Sequence, residues 1–447
     1  DRLQEYWLIN EICGDEDHYK CIKAANDVWN VVLWLRVIDR YGDAPYFDEE
    51  GNFGAGKGTT LPYSAVADIY ADLIKRLQAD AATLGSTSGQ WDFGDYDFLF
   101  QNDWNQWKKF ANTLIMRLSM RFANAGNTYQ SAFTAAANAC FDAPSDYARI
   151  SCDTSVWGDY YDRTFNDWSN TFTNCDFLSV LNGNNAGYTT GVVDPRRPFF
   201  FLPGTDEASA GNSNWDGYPF DYTADTEAAV VSAHGGKGSY ARLNMYDVNG
   251  IFHYVSANHT NANLSWCYSS YSEAMFLKAE AALRGWISGD PETMWKAAIK
   301  ASMDEIAIFV TRSGGSNTIS AAEQNAYIAA LPAFGANKEQ QLRSIIIQKW
   351  IALYPNSVEA WAEQRRTGYP DYASKVLTYP DVSASSGVSK GNIIQRIPYP
   401  QNEYNTNAGN IPSEFADYNA KNMEKGMPWS LNGTGTQSAT TAPSNKL

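Results

Sequence analysis

Paired amphipathic stretches constrain this chain more than any other feature of its sequence. In Ser64–Leu84, the residues Val66, Ile69, Tyr70, Leu73, Leu77, Ala81 and Leu84 recur at the spacing of one helix face. Lys338–Leu353 carries a second stripe (Leu342, Ile345, Ile346, Trp350, Leu353), and Pro355 stops it. The stretches pair across short connections: about 28–41 with 64–84, 104–124 with 129–140, 268–286 with 291–309, and 338–353 with 357–366. Facing surfaces are rich in alanine, as in KAEAALRGW, so that backbones can approach closely. Start signals accompany them. Ser64 stands where an N-cap is expected, Asp290-Pro291 reads as a cap followed by proline at the first helical position, and Asn356 or Ser357 caps Val358–Arg366. Helix pairs of this length are what tetratricopeptide-like solenoids stack, although no strict repeat of about 34 residues is visible.

Between the helical blocks, residues 141–267 are dense in Gly, Asn, Asp, Ser and aromatics. Turn signals recur there, among them Asn182-Gly183, Asp194-Pro195, Asp216-Gly217 and Asn249-Gly250, and few stretches alternate cleanly enough for strands. The tail from Asn432, NGTGTQSATTAPSNKL, is of a composition that stays disordered unless it docks. The expectation is one domain over 1–447: a mainly α scaffold (about 20–140 and 268–370) carrying a large irregular lobe (about 141–267 with 371–447).

Several function classes are disfavoured. A net charge of −16 makes nucleic acid an unsuitable partner, because phosphate binding needs clustered Lys and Arg. No apolar run reaches the roughly 18–20 residues that span a bilayer. Gly51–Thr60, GNFGAGKGTT, approaches the phosphate-loop pattern, but Gly58 stands where Ser or Thr is required and neither strand nor helix flanks it; HGGKGSY at His234–Tyr240 fails likewise. Neither G-x-S-x-G nor H-E-x-x-H occurs. Glu273 and Glu280 lie two turns apart on one helix, and the ordinary reading of such carboxylates is ion pairing to neighbouring helices. Asp92, Asp95, Asp97, Asn102 and Asp103 are dense enough in hard oxygens for calcium, yet lack EF-hand spacing, and caps and turns explain them as well. No cofactor and no metal are expected. Six cysteines permit a bridge such as Cys13–Cys21, the alternative being buried thiols.

The positive signal is aromatic. Phe, Trp and Tyr make up 14% of the chain, more than the helical stripes can absorb. They cluster in loop-like sequence: Trp91, Phe93, Tyr96 and Phe98; Trp157, Tyr160, Tyr161, Phe165 and Trp168; Trp215, Tyr218, Phe220 and Tyr222. A flat ring offers an apolar face to sugar C–H groups, while adjacent amides and carboxylates bond hydroxyls. The ordinary role for any single ring is core packing. The candidate ligand residues are Trp91, Tyr96, Trp157, Tyr161, Trp215, Asp216 and Tyr218, with Trp215-Asp216-Gly217-Tyr218 expected to set two rings side by side next to a carboxylate.

Three segments in order carry a family resemblance: Tyr268–Trp286 (YSSYSEAMFLKAEAALRGW), Ile345–Pro370 (IIIQKWIALYPNSVEAWAEQRRTGYP) and Arg396–Asn410 (RIPYPQNEYNTNAGN). With Val28–Phe47 and Asp103–Phe122 they resemble the SusD/RagB family, surface nutrient-binding lipoproteins of Bacteroidetes, from roughly residue 20 to 415. The resemblance implies a scaffold of four helix pairs. It also implies a non-enzymatic lipoprotein on the outer membrane that captures oligosaccharide and passes it to a TonB-dependent SusC-like transporter. The chain begins in globular-looking sequence at Asp1, so any signal and lipid-bearing cysteine are expected upstream. Trp361, Glu363, Arg365 and Arg366, with Gln348-Lys349-Trp350, look like fold-keeping residues in this family, the arginines tying the last helix to the following loop. Two alternatives stand beside this reading. A RagB-like peptide binder predicts an extended groove with backbone-directed donors; a glycoside hydrolase predicts a carboxylate pair roughly 5–10 Å apart in a cleft.

Overall fold

The structure, a computed structural model, describes residues 2–55, 61–151, 173–204, 215–219, 226–244, 248–251, 265–312, 314–381 and 383–447. Its main helices are α1 (Arg2–Cys13), α2 (Lys20–Tyr41), α3 (Val66–Thr83), α4 (Trp104–Arg121), α5 (Gln130–Ala136), α6 (Cys175–Leu181), α7 (Glu227–Ala233), α8 (Tyr271–Arg284), α9 (Pro291–Arg312), α10 (Ala321–Ala330), α11 (Lys338–Ala352) and α12 (Ser357–Thr367). The four expected pairs form: α2 packs on α3, α4 on α5, α8 on α9 and α11 on α12. Contacts from α3 to α4, α4 to α8 and α8 to α11 join the pairs into a stack. Helix α8 is its centre. One face (Ala274, Leu277, Ala281) belongs to the apolar cluster of α2–α5, and the other (Phe276, Ala279, Leu283) to the cluster of α6 and α9–α11. Both faces are therefore buried, and two carboxylates of the helix, Glu273 and Glu280, are buried with them.

Caps follow the sequence in most places. Asp103 accepts from the N–H groups of Asn105 and Gln106 at 2.9 and 3.1 Å. Asp290 accepts from Thr293 N at 2.8 Å, and Asn356, rather than Ser357, caps α12. Ser64 is a correction. The N–H of Val66 goes to Asp43 at 2.8 Å, while the Ser64 hydroxyl accepts from Phe47 N at 3.0 Å. Ser64 is committed to a two-residue strand, Tyr63–Ser64, paired with Ala44–Pro45, and so cannot cap. Tyr268–Ser270 is likewise strand, not helix: Ser265–Ser270 pairs antiparallel with Tyr147–Ser151, and α8 starts only after Ser270, its N-cap. Helix α1 lies outside the expected scaffold, and α10 carries a capping box, Ser320 with Glu323, that was not singled out.

Cys13 and Cys21 are both free and buried, which corrects the suggested bridge. The tail is docked, not disordered. Asn445 donates to Glu339 at 2.8 Å and to the Thr367 carbonyl at 3.0 Å, and Ala439 N reaches Gly391 O at 2.8 Å. Gly368 joins both events. Its φ of 79° ends α12 in the left-handed region, and a Cβ there would meet Pro443 Cγ at 2.7 Å.

Of the residues that look fold-keeping, Glu363, Arg366 and Lys349 belong to one buried ionic network. Arg366 makes paired bonds to Glu280, both at 2.7 Å, and to Glu363 at 2.9 and 2.7 Å. Lys349 and Arg121 reach Glu363 at 2.8 Å each, Arg284 reaches Glu280 at 2.9 Å, and Arg117 holds Glu273 at 2.6 Å. Glu273 and Glu280 are thus ion-paired to neighbouring helices, as read from sequence. Arg365 does tie α12 to a later loop, donating to Gln395 O at 2.8 Å and lying over the Trp361 and Trp429 rings. Arg366 ties it instead to α8. No helix among the described residues is long and apolar enough to cross a membrane.

Candidate functional site: two aromatic surfaces

The Trp215 cleft is assembled from three short backbone segments. Asn174 caps α6, accepting from Asp176 N and Phe177 N at 2.9 and 3.0 Å, and so fixes the chain at 173–175. Residues 216–218 pair along it, with Tyr218 N to Thr173 O at 2.7 Å and Cys175 N to Tyr218 O at 3.3 Å, and Ala241 N reaches Asp216 O at 2.8 Å. Gly217 is required by this approach: a Cβ there would lie 2.3 Å from the Cys175 Cα. The resulting cleft has a volume of about 580 Å³ and is lined in part by Ser179, Asn182, Trp215, Asp216 and His234.

Trp215 is half-buried and rests on the second apolar cluster. The Arg197 guanidinium sits 3.8 Å from its ring centroid, donates to Asn182 Oδ1 at 2.7 Å, and Asn182 in turn donates to Trp215 O at 2.8 Å. This closed triangle locks the ring and supplies a cation–π contact to it. Burial pulls Arg197 below its ordinary pKa, with the Asp194 charge opposing. Asp216 is exposed, and its Oδ2 lies 3.1 Å from His234 Nε2. The His234 ring packs edge-on against Tyr240 at 4.2 Å.

The expected side-by-side pair is not formed. The Tyr218 hydroxyl donates to Glu227 at 2.7 Å and its ring packs against Tyr240 at 4.8 Å, so Tyr218 braces the wall and Trp215 lines the cleft. The 216–218 segment runs extended along Thr173–Cys175 instead of turning at Gly217, which sends the two rings different ways. Arg197, Asn182 and His234 were not singled out by sequence. Asn182 stands in an Asn-Gly turn signal and His234 in a failed phosphate motif, and nothing in DPRRPFF marks Arg197.

Trp91 and Tyr96 form a second surface. They are 59% and 80% exposed, and Phe98 beside them is 59% exposed. Trp91 leans on His18 at 4.4 Å and on Tyr19 at 5.3 Å, and its N–H donates to His18 O at 2.9 Å. The loop under it is built on Asp97, which accepts from Leu99, Phe100 and Asn102 N–H groups and from the Trp107 indole at 2.7–3.0 Å. Asp92 accepts from Gly94 N and Asp103 caps α4. The Asp92–Asp103 cluster therefore works as turns and caps, and among the described residues no group of His, Cys, Asp and Glu is arranged to hold a metal. No ring pair among the described residues joins this surface to Trp215. Trp157 and Tyr161 lie outside the described residues, as do Tyr160, Phe165, Trp168, Phe220 and Tyr222.

Similarity to known proteins agrees with the architecture. A search of curated protein sequences returned no match. Among solved structures, a chitin-binding protein aligns with a TM-score of 0.73 at 22% identity, over 94% of this chain and 84% of that one. A chitin-binding SusD homologue from Flavobacterium johnsoniae aligns at 0.71 and 21%, over 99% and 85%. A SusD-like protein from Bacteroides thetaiotaomicron aligns at 0.71 and 21%, over 96% and 85%. At these identities the likeness is one of fold. The family profile of the SusD and RagB outer-membrane lipoproteins matches residues 3–429, nearly the whole chain, and the protein is a member of that SusD-like family.

Proposed function

We propose that the protein is a cell-surface glycan-binding lipoprotein that captures oligosaccharide, chitin fragments being the first candidate, and delivers it to a TonB-dependent SusC-like transporter. The chain acts as one unit, with helix pairs holding the irregular lobe, and a lipid anchor of the kind the family name describes keeps it at the outer membrane. The observation that carries the reading is the Trp215 cleft. It places one locked ring among hydroxyl, amide, carboxylate and imidazole groups, a mixture suited to a ligand with apolar C–H faces and many hydroxyls. Family membership and two structural neighbours described as chitin-binding support it. The Trp91–Tyr96 surface is a second place for a sugar chain to lie. Turnover is not part of the proposal: Glu273 and Glu280, the paired carboxylates on α8, are spent on Arg117, Arg366 and Arg284.

A retention assay tests this. The purified protein is expected to be held on chitin, to elute with soluble chito-oligosaccharide, and to release no reducing ends. Retention on immobilised peptides with none on chitin or other polysaccharides would favour the RagB-like peptide reading. Reducing ends released above blank, and abolished by one carboxylate substitution, would make it a glycoside hydrolase.

A further inference from the structure

A second cleft, of about 580 Å³, opens where α1, α2 and α3 meet, and shares no lining residue with the Trp215 cleft. Its wall holds the rings of Tyr6, Trp7 and Phe53, the amide of Asn10 and the carboxyls of Asp27 and Asp80, with Asp15 and Glu16 at the exposed rim. Trp7 and Phe53 stack at 5.3 Å with 22° between their planes. Three cations line it too, but each is engaged. Arg76 binds Asp27 and Asn30, donates to the Tyr46 hydroxyl at 2.7 Å and lies over Phe53 at 4.2 Å. Lys20 pairs with Asp17 at 2.7 Å, and Lys23 donates to Gly14 O at 2.8 Å.

Asp80 is left without a cation. It is about nine-tenths buried, with 9% relative exposure, and no N–H or O–H among the described residues reaches its Oδ2. Its neighbour Asp27, already bound to Arg76, accepts a hydrogen bond from the Asp80 carboxyl when that carboxyl is protonated. Burial first, then the Asp27 charge and the hydrogen bond to Asp27, push the Asp80 carboxyl up to about 9, with Arg76 opposing. Asp80 thus carries a proton near neutrality. The groups facing it are Tyr6, Asp27 and Arg76, with Asp15, Glu16, Lys20 and Lys23 further out.

We propose that this cleft is a second ligand site that takes an amino sugar with a free primary ammonium, the ammonium meeting Asp80 and Asp27 and the sugar ring lying against the Trp7–Phe53 wall. The two carboxyls have one cation between them, Arg76, and an ammonium in place of the proton they share adds the second charge with its own donors; three aromatic rings around that pair fit a sugar body better than a bare cation. Binding transfers one proton from Asp80 to solvent as the Asp80–ammonium pair forms. An N-acetylated sugar brings no charge and is rejected, because it would leave the pair as it was.

The test is calorimetric titration at pH 7 with D-glucosamine, N-acetylglucosamine and methylammonium, in two buffers of different ionisation enthalpy. Glucosamine is expected to bind at least tenfold more tightly than either of the others, with release of about one proton. Asp80→Asn matches the shape of the protonated acid, so its melting temperature is expected to hold while glucosamine affinity falls tenfold or more and the proton release disappears. If that variant does not fold, the exposed rim pair Asp15→Asn with Glu16→Gln is expected to weaken glucosamine by about two- to threefold, through charge alone. Equal affinity for glucosamine and N-acetylglucosamine, methylammonium binding as tightly as glucosamine, no detectable glucosamine binding, or a folded Asp80→Asn that binds normally would each overturn the proposal. Because the clefts share no residue, this outcome is independent of chitin retention.

Discussion

Replacing Arg366 with Ala is expected to destabilise the fold by about 3–5 kcal/mol, the range for removing one partner of a buried ion pair. The side chain is fully buried and carries four bonds to two carboxylates. Burial alone would raise the Glu363 carboxyl, but Arg366, Lys349 and Arg121 outweigh it and hold it well below the ordinary value. Glu280 is lowered in the same way, by Arg366 and Arg284 against burial. Without Arg366, Glu280 keeps only Arg284, and Glu363 keeps Lys349 and Arg121. Arg366→Lys keeps the charge but loses the planar fork that serves both carboxylates, so an intermediate loss is expected. Acid dependence follows from the sign. A depressed carboxyl stabilises the fold above its unfolded pKa and loses that contribution as pH falls through its folded value. Wild-type stability should therefore drop below about pH 4.5 more steeply than that of Arg366→Ala. Urea melts at pH 7 and pH 4 measure both effects; a variant within about 1 kcal/mol of wild type at pH 7 would show the network to be of little weight.

Glu305 on α9 predicts the opposite slope in a different window. It is buried and accepts from Ser272 N and Oγ, both at 2.6 Å. Burial pushes its carboxyl from 4.5 up to about 7, the Ser272 bonds opposing and the Glu273 charge adding to the rise. Between those two values the folded protein holds a proton that the unfolded chain has released. The Glu305 contribution to stability is therefore fully present below about pH 4.5 and is lost as pH rises towards 7. At about 1.36 kcal/mol per pKa unit, the loss is on the order of 3 kcal/mol. Asp80, at about 9, extends the decline to higher pH. Glu305→Gln keeps an oxygen for Ser272 and removes the titration. Its melting temperature is expected to exceed wild type at pH 8 and to change less between pH 5 and pH 8; an unchanged wild-type slope in the variant would assign the decline elsewhere.

The scaffold was legible because helix faces repeat in the sequence. The stripes of α3 and α11 lie where Val66, Leu73, Ile345 and Ile346 placed them, and Asp103 and Asp290 mark real starts. What failed locally failed by competition. Ser64 could cap α3 only if nothing else claimed its hydroxyl, and Phe47 does. The tail looked disordered because its anchors, Glu339 and Thr367, lie 106 and 78 residues upstream of Asn445 and carry no local mark. The site was less legible for the same reason. Trp215 was visible as a loop aromatic, but its partners Arg197, Asn182 and His234 come from three other segments, and no periodicity connects them. The Asp27–Asp80 pair was hidden inside two helical stripes, where acidic residues ordinarily face solvent.

Titration of chito-oligosaccharide into Trp215→Ala and Trp91→Ala, each with its melting curve, tests the glycan-capture reading most directly. Trp215 is half-buried and Trp91 exposed, so neither truncation should approach the roughly 3–5 kcal/mol lost when a core Trp is removed. The expected result is that Trp215→Ala melts within a few degrees of wild type while its affinity falls at least about tenfold, or 1.4 kcal/mol. Trp91→Ala should weaken binding less and leave the melt unchanged. A well-folded Trp215→Ala that binds chito-oligosaccharide as wild type does would contradict the assignment of the cleft, and so would binding losses that appear only in variants that have also lost their fold.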